Sequence, residues 1–233
     1  MCDISAYKKY PKHNWIYYKP SLCDLQNIPW YPCPIEPHSY PAVVRPVTNL
    51  SGMGSEMYIV YGKEEFYKVS CYGYFSTPLI DGIHTSHDFD VIDGVIQNET
   101  AFQGHKNIKY PGTFLYWELL YKHSPPTITN SIQILLEALG EYTGPLNIEC
   151  IDGKIIEAHL RRGDVDEIND EEAPFYIVPI WGSKHDTKEI NIENIIKEPG
   201  VIRVIKDPPN ISKTSSCLKR KGLVFTKILP DFT

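Results

Sequence analysis

The stretch Leu146-Asn147-Ile148-Glu149-Cys150-Ile151-Asp152-Gly153-Lys154-Ile155-Ile156-Glu157-Ala158-His159-Leu160-Arg161 constrains the fold more than any other part of the chain. Two alternating apolar/polar runs flank Asp-Gly, a strong turn signal, so the segment reads as a β-hairpin. Side chains of a strand alternate faces. One face carries Ile148, Cys150, Ile156, Ala158 and Leu160, and the other carries Asn147, Glu149, Glu157, His159 and Arg161. A two-residue turn at Asp152-Gly153 pairs Glu149 with Ile156 and separates the two glutamates. A three-residue loop, Ile151-Asp152-Gly153, pairs Glu149 with Ile155 and keeps the polar set together. A one-residue slip buries charge, so the pattern selects the longer loop. Glu149 and Glu157 then become diagonal neighbours, roughly 7–8 Å apart at Cβ. Carboxylates at that reach can share Mg²⁺ bound to a nucleotide's phosphates. The plain alternative is an amphipathic surface hairpin whose polar face meets water. Two Glu, a His and an Arg, without the Lys/Glu mixture of an exposed strand, favour a site.

The remaining order is strand-rich. Seven prolines between Pro11 and Pro41 interrupt any long helix in residues 1–41, leaving room for one short helix around Ser21–Gln26. Ala42–Val47 and Glu56–Tyr61 read as strands around a loop of small residues, and Phe89–Ile92 with Val95–Asn98 as a second hairpin about Asp93-Gly94. Thr129–Leu139 is the clearest helix: Ile132, Leu135, Leu136 and Leu139 recur at helical spacing, Thr129 or Asn130 caps it and Gly140 ends it. Asp164–Glu172 is an acidic, solvated loop, and Phe175–Ile180 and Gly200–Ile205 read as strands. The division expected is a Pro/aromatic-rich segment 1–41, a core 42–163 and a C-terminal extension 164–233 packed on it.

Composition removes several classes. With 23 Lys plus Arg against 29 Asp plus Glu, the formal net charge is -6, so a nucleic-acid footprint is missing. No run of about 18 apolar residues exists, so no membrane span is expected. The N-terminus has no apolar signal core. The six cysteines lack zinc spacing, which fits free thiols in a reducing, cytoplasmic compartment.

Between the first two strands, Ser51-Gly52-Met53-Gly54-Ser55 offers backbone N–H groups and hydroxyls of the kind that cradle anions, and Arg45 lies on the strand entering it. Neither the Walker A pattern nor the dinucleotide fingerprint is present, and a glycine pair between strands is most often a plain hairpin loop. His84-Thr85-Ser86-His87-Asp88-Phe89-Asp90 contains two His and two Asp; as a strand it places His84, Ser86, Asp88 and Asp90 together and His87 opposite. A metal-dependent hydrolase using His84, Asp88 and Asp90 is one reading, and a wet polar face is the other. Cys150 falls on the apolar face, where an inert thiol is the default.

Taken in order, Tyr40-Pro41-Ala42-Val43-Val44-Arg45-Pro46, the glycine loop, the Asp93-Gly94 hairpin, the helix and Asn147-Ile148-Glu149…Glu157-Ala158-His159-Leu160-Arg161 resemble the ATP-grasp superfamily of carboxylate–amine ligases. The likeness is nearest to small phage and large-virus ATP-grasp proteins and spans about Trp15 to Arg162. It implies an α+β fold of two subdomains with mainly antiparallel sheets. It implies ATP held by Lys19, Arg45, the loop Ser51–Ser55 and His84, and Mg²⁺ held by Glu149, Glu157 and His159. Arg161 and Arg162 take the catalytic positions. The implied activity is conversion of a small-molecule or peptide carboxylate to an acylphosphate that an amine or thiol attacks; the implied alternative is an inactive nucleotide- or protein-binding relative. Three departures stand out. His159 replaces the family's Asn, His84 stands where a ribose-binding Glu is usual, and the usual substrate domain has no counterpart before Trp15. The acceptor site is then expected from residues 164–233, from a second copy of the chain or from a partner protein.

Overall fold

The computed structural model describes residues 2–48, 50, 57–106, 114–124 and 129–163, and three further strands at 176–180, 202–204 and 224–230. The loop Ser51, Gly52, Met53, Gly54, Ser55 and the acidic segment 164–172 lie outside the described residues.

Two antiparallel sheets organise the chain. In the smaller, β1 (Tyr31–Pro32), β2 (Ala42–Pro46), β3 (Tyr58–Val60) and β4 (Tyr74–Pro78) lie in the order β1-β4-β2-β3. The period-2 pattern of β2 sets its orientation: Ala42, Val44 and Pro46 are buried, while Val43 and Arg45 face the other way. Ala42 and Val44 pack with Cys33, Val60 and Phe66. Phe66 comes from the helix Lys63–Val69 that follows β3, with Glu64 and Glu65 in its first turn and Lys68 in its last, the arrangement that suits the helix dipole.

The larger sheet contains β5 (His84–Ile92), β6 (Val95–Lys106), β7 (Phe114–Ser124), β8 (Gly144–Ile151), β9 (Lys154–His159), β10 (Tyr176–Ile180), β11 (Ile202–Val204) and β12 (Val224–Pro230), ordered β11-β12-β10-β7-β6-β5-β8-β9. Asp93 and Gly94 have φ of 49° and 76°, the left-handed pair that closes a two-residue hairpin turn. Only glycine fits the second position, because a Cβ there would sit 2.4 Å from the Gly140 carbonyl oxygen. The helix Asn130–Leu139 forms as expected: Thr129 Oγ1 accepts from the Ile132 N–H at 3.4 Å, and Gly140 ends it at φ 60°. Its buried face, Ile132, Leu135, Leu136 and Leu139, packs against Phe89, Leu146 and Ile148 of the sheet, each side chain worth about 1.5–3 kcal/mol of burial.

The hairpin about Asp152-Gly153 corrects the expected register. Asp152 (φ 50°) and Gly153 (φ 72°) make a two-residue turn joining Ile151 to Lys154, so the three-residue loop is not formed. Cys150 pairs with Ile155, the register then shifts, and Glu149 pairs with Glu157. Ile156 is the extra residue of a β-bulge on β9. The bulge performs the one-residue phase change for which a longer loop was invoked. Consequently Ile155, not Ile156, enters the core, and the two glutamates are directly opposite rather than diagonal.

The N-terminal segment wraps the free edge of β9. The helix Asp3–Lys9, a 3-10 turn Asn14–Tyr17 and the helix Lys19–Leu25, close to the one expected at Ser21–Gln26, follow one another there. The first was not foreseen, nor were the helix Lys63–Val69 and the strands β7 and β12. Among the described residues no helix is long and apolar enough to cross a membrane.

Candidate functional site

The polar face of the large sheet is built in rows. Ser86, Glu149 and Glu157 lie side by side on β5, β8 and β9, and Asp88, Asn147 and His159 form the next row. One row on the other side, His84 pairs with Gly104 and Gly104 with Trp117. Gly104 presents no side chain, so the His84 and Trp117 rings meet edge-on with centroids 5.7 Å apart.

Glu149 and Glu157 each meet a basic side chain. His84 Nε2 lies 3.1 Å from Glu149 Oε2. Burial pushes the Glu149 carboxyl up, but the hydrogen bond and charge of His84, with His159 and Lys19 beyond, outweigh it and hold the group at about 2. Glu157 Oε1 meets Lys19 Nζ at 3.1 Å and His159 Nε2 at 3.6 Å. Lys19 is placed by backbone logic: it opens its helix just before Pro20, a residue suited to a first turn, and its N–H donates to the Val47 carbonyl at 2.8 Å. The ammonium is thereby carried, buried, into the large sheet's polar face.

Arg45 reaches across from the small sheet. Its Nη1 donates to the carbonyl of Ile156, the bulged residue, at 3.1 Å. Its guanidinium stacks over the Phe75 ring at 5.2 Å, and its Nε is buried with no hydrogen-bond partner among the described residues. Burial pulls its proton affinity down, opposed by the neighbouring Cys23 side chain and the Glu157 and Glu149 carboxylates.

The end of β9 is held by three acids. Asp3 Oδ1 accepts from His159 Nδ1 at 2.9 Å and from Arg161 Nε at 2.7 Å, and Asp3 Oδ2 accepts from Arg161 Nη2 at 2.9 Å. Asp90 accepts from Arg162 Nη2, and Asp88 Oδ1 accepts from the Gly163 N–H and from Asn147 Nδ2. Burial raises the Asp3 carboxyl, yet His159 and Arg161 hold it well below the usual carboxylate range. Asp3 in turn raises the proton affinity of His159 against the cost of its burial.

The structure therefore gathers Lys19, Glu149, Glu157, His159 and His84 on one face and brings Arg45 to its rim, while Arg161 and Arg162 bond Asp3 and Asp90. The loop Ser51–Ser55 lies outside the described residues. Asp88, Asp90 and His84 each engage a different partner. Among the described residues, no cluster of three or more His, Cys, Asp or Glu is set to hold a metal ion. His87 points to the opposite face, as its alternation requires, and its Nδ1 meets the buried Glu99. Asp3 was missed. It precedes His159 by 156 residues, and an Asp at a helix start reads as a dipole partner, so no local signal marks it.

No protein-family profile matches the chain, and no curated protein matches it by sequence. Solved structures do match in shape. An L-amino acid ligase from Bacillus licheniformis superposes with a TM-score of 0.57 at 14% identity, over 94% of this chain and 68% of that one. Carboxyaminoimidazole ribonucleotide synthase from Aspergillus clavatus, complexed with ATP, gives 0.59 at 8% identity, over 93% and 68%. N5-carboxyaminoimidazole synthetase from Staphylococcus aureus, complexed with ADP, gives 0.59 at 9% identity, over 94% and 69%. The fold is thus α+β and ATP-grasp-like, as the resemblance implied.

Proposed function

We propose that the chain binds Mg-ATP on the polar face around Glu149 and Glu157 and uses it to activate a carboxylate for ligation. The observation that carries this reading is the direct pairing of Glu149 with Glu157, flanked by Lys19 and Arg45, in a fold shared with ATP- and ADP-bound synthetases. The donor set suits the ligands. Among the described residues Arg45 Nε is a buried donor without an acceptor, a group that a phosphate oxygen would satisfy. Two carboxylates give hard oxygen donors, and Mg²⁺ takes one or two of these and completes its shell with phosphate and water, so no closed protein cage is required. His159 is the poorest ligand for Mg²⁺, because an imidazole nitrogen is softer than oxygen. When bound, Mg²⁺ neutralises phosphate charge and orients the leaving group.

In the proposed reaction a substrate carboxylate oxygen attacks the γ-phosphorus and ADP leaves. An amine or thiol then attacks the acylphosphate carbonyl carbon, and inorganic phosphate leaves. Lys19 and Arg45 bind phosphate oxygens, and His84 lies on the nucleotide side. Arg162, half-exposed beyond the end of β9, offers positive charge to the tetrahedral intermediate, whereas the buried Arg161 has all three guanidinium nitrogens bonded to Asp3 and the Arg162 carbonyl and serves the site only through them. The acceptor comes from residues 164–233, a second copy or a partner.

A second reading has its own support: each glutamate already has a basic partner within the chain, Lys19 or His84, which suits an inactive nucleotide-binding protein. Thermal melting tests the shared premise, since Mg-ATP at 100 times its Kd adds roughly 2.7 kcal/mol of stability. No shift with any nucleotide refutes both readings. A shift that survives joint Glu149→Ala and Glu157→Ala places the ligand elsewhere. ADP release that requires an added carboxylate and amine selects the ligase; binding without release selects the inactive protein.

A further inference from the structure

The helix Asp3–Lys9 buries little to explain its place. Its buried residues are Ala6 and Asp3, and Asp3 is 4% exposed. Burying a carboxylate costs several kcal/mol unless it is fully partnered. Asp3 meets that cost with three hydrogen bonds, two from Arg161 and one from His159, and Tyr17 OH adds a fourth contact at 3.4 Å. Well-packed apolar residues often replace such a buried ion network with no loss of stability. Anchoring a seven-residue helix therefore does not require this acid. What the acid does, and an apolar residue cannot, is fix an imidazole. With Nδ1 held at 2.9 Å by Asp3, the His159 ring has one orientation, and its Nε2 is aimed at Glu157 Oε1, 3.6 Å away. The ring also stacks edge-on against Tyr17 at 5.8 Å, whose hydroxyl accepts the Leu160 N–H at 3.1 Å, so ring and backbone are locked together.

We infer that Asp3 is a positioning residue, supplied by the N-terminal helix, which holds His159 directed at the Glu157 carboxylate and so completes the nucleotide site. This rests on the proposed ATP-binding reading, in which Glu157 is a phosphate-side carboxylate. A carboxylate behind a histidine orients the ring and fixes which nitrogen faces the site. The Asp3 carboxylate, rather than the packing of the rest of its helix, is thus what serves the site.

The experiment uses the full chain and three variants. Asp3→Asn removes the charge at constant size, Asp3→Glu restores the charge one methylene farther out, and Ala6→Gly loosens the helix without touching the acid. The first readout needs no nucleotide: the ¹⁵N and ¹H signals of the His159 ring. A slowly exchanging Nδ1–H in the wild type that is lost in Asp3→Asn supports the inference, and a ring spectrum unchanged by Asp3→Asn overturns it. The second readout is the Kd for Mg-ATP by calorimetry. Loss of outer-shell partners typically costs 10–100-fold, so a loss of that order in Asp3→Asn, partial recovery in Asp3→Glu and near-wild-type affinity in Ala6→Gly is the expected result. Equal losses in Asp3→Asn and Ala6→Gly, tracking their melting temperatures, make the acid merely structural and overturn it. If the wild type binds no nucleotide, the ATP reading fails by itself, and the ring signals still decide the positioning role.

Discussion

Gln26 offers the sharpest test of how the site hairpin is supported. β9 is the outermost strand of its sheet, so one row of its backbone groups has no strand to pair with. Gln26 supplies a substitute. Its Nε2 donates to the Ile155 carbonyl at 2.8 Å and to the Leu22 carbonyl at 2.8 Å, while its Oε1 accepts the Ile155 N–H at 2.7 Å. One side chain thus mimics a strand residue immediately before the Ile156 bulge. Gln26→Leu removes all three bonds, at about 0.5–1.5 kcal/mol each, or about 2–4 kcal/mol in all. For a chain of this size that corresponds to roughly 4–16 °C in Tm. Gln26→Glu is the more exacting change. Its ionised carboxylate still accepts from the Ile155 N–H but turns an acceptor toward two carbonyl oxygens. The folded state therefore favours the protonated acid and raises its pKa above the unfolded value. A raised pKa gives stability that is present at low pH and lost as pH rises through the folded value. Urea unfolding of Gln26→Glu should show a deficit comparable to Gln26→Leu at pH 7, shrinking against wild type toward pH 4. Wild-type stability of Gln26→Glu at pH 7 refutes the strand-mimic argument.

Other substitutions follow from the same geometry. Gly94→Ala places a Cβ against the Gly140 carbonyl oxygen and a side chain at φ 76°, so a loss exceeding the 1–2 kcal/mol of the left-handed penalty alone is expected by urea titration. Leu135→Ala empties a fully buried site between the helix and the sheet, at about 2–5 kcal/mol by the same measurement. Among the described cysteines, thiol labelling at pH 8 followed by peptide mapping should modify the exposed Cys71 well before Cys150, which stays intact until unfolding. Burial, with the charges of Glu149 and Glu99, pushes the Cys150 thiol up to about 12.

Much of the architecture was legible because it is written in local period and turn chemistry. The helix Asn130–Leu139 carries a cap, a 3.6-residue stripe and a terminal glycine, and Asp93-Gly94 adopts the left-handed two-residue turn it advertises. The helix Lys63–Val69 has none of this: one buried residue, Phe66, is too little to make a stripe, and tertiary packing on the small sheet decides its form. β7 was obscured because Phe114–Ser124 mixes aromatic and polar residues without strict alternation, and its pairing with β6 shifts register repeatedly.

The site shows where local reading stops. Face alternation was enough to bring Glu149, Glu157 and His159 together, since that is a property of consecutive residues. It could not distinguish a longer turn from a bulge, because both restore the same phase. The difference falls where the two sheets meet: the carbonyl of Ile156, the bulged residue, is the oxygen that Arg45 of the other sheet grasps. The supporting contacts, Asp3 on His159, Gln26 on Ile155 and Lys19 on Glu157, span more than a hundred residues of sequence. They all originate before residue 30, in a stretch whose prolines and aromatics suggested only interrupted helix. Such contacts follow from how the chain wraps a sheet edge, not from any pattern within the wrapping segment. The first 26 residues are accordingly a structural partner of the hairpin. A chain lacking residues 1–26 should lose the Gln26 support of β9, the Lys19 ammonium at Glu157 and the Asp3 carboxylate at His159 together, and should fail to bind Mg-ATP even if its two sheets still form. Wild-type affinity in such a truncation, measured by calorimetry alongside circular dichroism, would show that the hairpin organises the site unaided.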